Sequence, residues 1–150
     1  KTQMVGVWDD HDYGHGNGNK LFEHKDDMKQ IFFEFVDEPA KSPRRREGDG
    51  MYGSYFIGEK KRVKLILLDL RYNLEPEGGN DMLGEEQWKW LENELKTSKS
   101  VDFILLGSTT QLLPDDHLFT EKWYEWSKER LFGIIREHQV NGVVILSGDV

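Results

Sequence analysis

The sequence contains no cysteine, so neither a disulfide nor a thiolate metal ligand can form among these residues, and the redox compartment is left open. No apolar run approaches the ~20 residues needed to span a bilayer, so the region holds no transmembrane segment. No repeat, low-complexity tract or linker divides the chain, which reads as part of one domain over residues 1–150. Basic residues form no sustained stripe. Arg44-Arg45-Arg46, beside Pro43 and Gly48, is expected to be a solvated loop. Together with a net charge of -8, this argues against a general nucleic-acid or membrane-surface binder. No signal peptide is visible either. The chain opens close to an expected strand, as though cut from something longer.

What is present suffices for a globular core: 150 residues with 37% hydrophobic and 12% aromatic content. Gln3 to Trp8 reads as a buried strand ended by the Gly/Asn-rich stretch Gly14 to Asn19. Helical spacing of Leu21, Met28, Ile31, Phe32 and Phe35 predicts a helix over Lys20 to Val36 with that face inward, stopped by Pro39. Tyr52 to Ile57 and Arg62 to Leu68 follow as a hairpin through Gly58-Glu59-Lys60-Lys61. A helix over Gly84 to Lys96 turns Trp88, Leu91 and Leu95 inward. Then come a strand over Val101 to Leu106, a helix over Trp123 to Gln139 and a strand over Gly142 to Leu146. The alternation implies an α/β layered architecture, largely parallel, with the hairpin as its antiparallel part.

In such sheets reacting groups gather at the carboxyl ends of strands. The polar clusters fall there: Asp9 to His11, Asp69 to Tyr72, Ser108 to Gln111 and Gly148-Asp149. Three of the four supply carboxylates. The densest is Trp8-Asp9-Asp10-His11-Asp12, where anionic oxygens crowd beside an imidazole, an arrangement that is electrostatically costly without a cation. An acidic rim would repel a phosphate, and bound cations would reverse that sign. The plain alternative is that Asp9-Asp10 caps a turn.

Four motifs in order, Trp8-Asp9-Asp10-His11-Asp12-Tyr13-Gly14, Leu68-Asp69-Leu70-Arg71-Tyr72, Leu83-Gly84-Glu85-Glu86-Gln87-Trp88 with Trp90-Leu91, and Leu146-Ser147-Gly148-Asp149-Val150, resemble the PhoD-like alkaline phosphatases of the calcineurin-like metallophosphoesterase superfamily. The resemblance implies a two-sheet sandwich flanked by helices, of which this chain would be a part truncated at both ends. It also implies a metal-dependent phosphoester hydrolase in which metal-activated water attacks phosphorus, with iron and calcium as the metals and an exported or membrane-facing location. By the same resemblance Asp10 is a metal ligand, His11 the acid or electrostatic stabiliser of the leaving group, and Asp149 a second ligand. Asp9 ranks below Asp10 as a metal residue, since alternation along the expected strand points it the other way and suits it to support a ligand. Asn17 is the nearest candidate for an expected Asn ligand, and Gln111 would face metal or phosphate through its amide.

Arg71 either clamps a phosphate oxygen or closes a salt bridge to Asp69 or a helix end. His15 is open between substrate contact and loop residue. His24, His117 and His138 read as solvated, Asp115-Asp116 as a turn after Pro114, and Trp88, Trp90, Trp123 and Trp126 as core or sheet-covering residues. The isolated segment is expected to be inactive, because ligands from before Lys1 and the histidine expected after Val150 are missing. The other functional class is a catalytically silent phosphatase-like domain used for binding or assembly; the sequence flanking this segment would separate the two.

Overall fold

The computed structural model describes residues 4–14, 16–45, 49–60, 62–113 and 121–148. Four strands form one sheet in the order β1 (Gly53–Ile57), β2 (Val63–Leu67), β3 (Phe103–Ser108), β4 (Val143–Ser147). The β1–β2 hairpin is antiparallel, with Tyr55 opposite Leu65, and β2, β3 and β4 run parallel, with Leu65 opposite Leu105 and Leu106 opposite Ile145. Each parallel step needs a crossover, and helices α3 (Glu85–Thr97) and α4 (Glu125–Glu137) provide them.

Side chains alternate across a strand, so one set faces the helices and the next faces away. Ile66, Ile104 and Leu106 join Trp88, Leu91 and Leu95 of α3 and Leu131 and Ile134 of α4 in the main core. The opposite set is much less covered: Ile57, Phe103, Val144 and Leu146 are 47%, 53%, 42% and 50% exposed. Of the two sheets expected, the described residues contain one, and its second face is open.

A second, smaller core of Trp8, Tyr13, Phe33, Met51 and Tyr72 lies beneath the acidic turn. Here the structure corrects the sequence reading. Residues 4–9 adopt no regular structure, and the chain instead turns into a short helix, α1 (Asp10–Tyr13). What the apolar stretch supplies is an anchor: Trp8 is fully buried, edge-on to Tyr13 at 5.0 Å and to Phe32 at 6.1 Å.

Helix α2 (Lys25–Phe35) is shorter than expected and rotated about its axis. It buries Lys29 and Phe33, and of the expected face Met28 and Phe32 pack against the smaller core while Leu21, Ile31 and Phe35 are exposed. A buried cation explains the turn. Lys29 Nζ donates to the Asp49 carbonyl and stands 5.4 Å from the Tyr72 ring centre, so its stem and head are both satisfied inside. A periodicity that counts only apolar residues cannot register that.

Arg44 departs from expectation for a similar reason. Instead of lying in a solvated loop it is 3% exposed, paired with Glu38 and donating to the Gly6 and Met51 carbonyls and the Tyr55 hydroxyl. His138 also differs: its Nε2 lies 2.8 Å from Glu92 Oε1 and its ring is largely covered. His24 is exposed as expected, whereas Arg46, Asp115, Asp116 and His117 lie outside the described residues. Among the described residues no helix is long and apolar enough to cross a membrane.

Candidate active site

The loop after β2 is built around Asp69, whose side chain is fully buried. Its Oδ1 accepts from Trp8 Nε1 at 2.9 Å and from the backbone N–H of Arg71 and Tyr72 at 2.9 and 3.0 Å, and its Oδ2 accepts from the Met51 N–H at 2.8 Å. Gln87 of α3 completes the frame, its amide oxygen taking the Asp69 N–H and its amide nitrogen donating to the Asp69 carbonyl. Buried polar groups are tolerable only when partnered, and here every contact also positions a neighbour. Asp69 therefore joins β2, the 49–52 segment and the Trp8 anchor.

From this frame Arg71 reaches sideways into the site. Its side chain is 1% exposed, with Nε donating to Asp9 Oδ1 at 2.7 Å and Nη1 to Glu121 Oε1 at 3.1 Å, while Nη2 contacts both carboxylates. The salt bridge thus goes to Asp9 and Glu121, and Asp69 takes the Arg71 backbone N–H. Burial lowers the guanidinium pKa, but the Glu121 hydrogen bond and the Asp9 charge raise it further, for a net increase. On Asp9 burial dominates and lifts the carboxyl above its ordinary value, against the pull of Arg71. The Thr109 hydroxyl lies close enough to favour the charged form of Asp9, yet its buried oxygen makes no hydrogen bond of ordinary geometry.

Asp10 opens α1. Its Oδ1 accepts from the His11 N–H at 2.8 Å and its Oδ2 from the Asn17 N–H at 3.3 Å. Partial burial pushes this carboxyl up, but the two N–H donations win and hold it below the usual range. The His11 ring is 89% exposed, with Nε2 3.9 Å from Asp10 Oδ2. Asn17 meets Asp10 through its backbone, in the left-handed conformation at φ 57°.

A cavity of about 370 Å³ brings Asp9 and Asp12 together with Leu67, Thr109, Leu146 and Gly148, which places the acidic turn beside the carboxyl ends of β2, β3 and β4. A side chain at Gly148 would lie 3.5 Å from the Thr109 carbonyl, so the last strand and the loop after β3 are in contact. Asp149 and His15 lie outside the described residues. Gln111 is set apart from this cavity, its carbonyl accepting the Trp123 N–H and its backbone pairing with Lys122.

Among the described residues no three His, Cys, Asp or Glu side chains stand together as ligands of one ion. Asp9 is engaged by Arg71 and Asp69 by four donors, so the described donors do not by themselves fit a metal.

The family model for PhoD-like phosphatases matches residues 1–150, the whole chain. This chain belongs to the PhoD-like phosphatase family. A solved structure titled "Structure of PhoD" superposes with a TM-score of 0.73 at 22% identity, which shows the same fold. The match covers 96% of this chain and 34% of that one, so the PhoD-like segment spans about a third of that protein's length. No curated protein sequence matches. In the PhoD-like frame Glu121, Thr109 and Gln87 are the residues that sequence reasoning missed. Gln87 sat inside a quoted motif and Thr109 inside the Ser108 to Gln111 cluster, but nothing in the sequence distinguishes Glu121 from any other surface acid.

Proposed function

We propose that this segment forms part of a phosphoester hydrolase whose phosphate site lies at the acidic turn, beside the ends of β2, β3 and β4. The observation that carries the reading is the gathering of Asp9 and Gly148 around one cavity in a chain matched throughout by the PhoD-like family. In this reading His11 donates a proton to, or stabilises, the departing alkoxide. Its exposed ring suits that task, for which general acid catalysis contributes typically ~10²–10⁴-fold.

Asp10 is the proposed ligand for a metal ion, since its carboxylate, held by the backbone N–H groups of His11 and Asn17, retains lone pairs. Asp149 is the proposed second ligand and Asn17 a further one, with iron and calcium as the ions the resemblance implies. Asp9 supports through Arg71. A phosphate oxygen would compete with Asp9 and Glu121 for Arg71.

The decisive experiment uses the complete protein and measures phosphatase activity and metal content together. Asp10→Ala should abolish both, and His11→Ala should lower kcat by about 10²-fold with metal content unchanged. Retained activity in Asp10→Ala would remove that residue from the site.

A further inference from the structure

A second and larger cavity, of about 530 Å³, is lined by Arg71 and Glu121 together with Leu74, Met82, Trp123 and Trp126. This volume is within the ~300–1,000 Å³ usual for small-molecule sites, and apolar and aromatic walls interspersed with polar groups, here including Asn80 and Lys122, are typical of them. Arg71 links this cavity to the acidic turn. It lines this cavity and bonds Asp9, so the cavity begins one guanidinium away from the turn that carries Asp10 and His11.

The walls are held before any ligand arrives. Trp123 is 2% exposed and its indole N–H donates to Ser108 Oγ at 2.9 Å. Trp88 stands edge-on to both Trp123 and Trp126, at 6.5 and 6.3 Å. The Arg130 guanidinium covers the Trp126 ring at 5.3 Å, and Met82 Sδ accepts the Tyr124 N–H. Trp126 is nonetheless 46% exposed. An indole held by Trp88 and Arg130 that lines the cavity and stays partly exposed is a preformed wall for a flat apolar group.

We propose that this cavity is a subsite for the alcohol portion of a phosphoester, favouring alcohols that carry an aromatic ring. The inference rests on the phosphoester reading above. With phosphorus at the acidic turn, the ester oxygen would pass Arg71 and its organic group would lie against Trp126 and Met82.

The test compares kcat/KM for 1-naphthyl and methyl phosphate esters in the complete protein, wild type against Trp126→Ala and Trp126→Phe. The naphthyl-to-methyl ratio should fall about tenfold in Trp126→Ala, mainly through KM, and recover largely in Trp126→Phe. An unchanged ratio, or equal loss on both esters, would overturn the proposal. Binding of non-hydrolysable 1-naphthyl phosphonate, read by calorimetry, should weaken about tenfold in Trp126→Ala. Equal binding by the two proteins would also overturn it. Trp126-dependent phosphonate binding without turnover of any ester would leave the subsite standing and sink the hydrolase reading, whereas hydrolysis with an unaltered ratio would do the reverse.

Discussion

Asp69 shows how much one buried carboxylate can organise. Asp69→Asn would turn an amide N–H₂ toward donors that now share a charge, and is expected to cost about 2–3 kcal/mol by urea unfolding at neutral pH. A loss below a few tenths would mean the frame tolerates a neutral acceptor. Arg71→Ala should cost about 3 kcal/mol, because it leaves Asp9 and Glu121 facing each other without their cation. Arg71→Lys should recover only part, since an ammonium cannot bridge two carboxylates in a fixed fork. The sequence made the Asp9 to His11 cluster and Arg71 visible as chemistry-bearing residues, because charge density beside an apolar run is a local signal. It did not reveal that Arg71 joins Asp9 to Glu121, since partners 62 and 50 positions away leave no mark on their neighbours.

Among the elements, two glycines, one leading into β4 and one within α4, make opposite predictions. Gly142 enters β4 at φ 71°, and a Cβ there would press on the Asp102 carbonyl, so Gly142→Ala should destabilise by at least about 2 kcal/mol. Gly133 sits within α4 with open space around it, so Gly133→Ala should stabilise by about 0.5–1 kcal/mol through helix propensity. Thermal unfolding of both variants checks the pair. The turn at 75–81 predicts a pH limb. Glu75 accepts the backbone N–H of Asn80 and Asp81 and pairs with Lys20, which together lower its pKa from 4.5 to about 2.

A depressed carboxyl stabilises the fold above its unfolded pKa and loses that contribution as pH falls through the folded one. Stability should therefore decline between about pH 4.5 and 2, and Glu75→Gln should flatten that part of the curve. Equal slopes in both proteins would remove Glu75 from the account. The hairpin, α3, α4, β3 and β4 were legible to within about two residues because each has clear periodicity and punctuation. The opening segment was not. A near-continuous apolar run has the same composition whether it enters a sheet or inserts one tryptophan under a turn, and α2 was misoriented because Lys29 is buried.

On the scale of the molecule, the half-covered face of the sheet is the dominant feature. An apolar patch of this kind marks a surface made for contact. The 150-residue chain alone is expected to bind a hydrophobic dye such as ANS under native conditions and to self-associate as its concentration rises. Replacing Val144 and Leu146 with Thr should reduce both effects without changing helical circular dichroism, and a dye-silent, monomeric wild type would show the face to be covered. The arrangement of Arg71 has a consequence for assembly order. One guanidinium must wait for the turn at position 9 and for the segment at position 121, and contacts so distant along the chain close late because of the loop entropy they must overcome. The sheet and its helices can consolidate first, and the acidic turn would be the last part of the molecule to acquire its working shape.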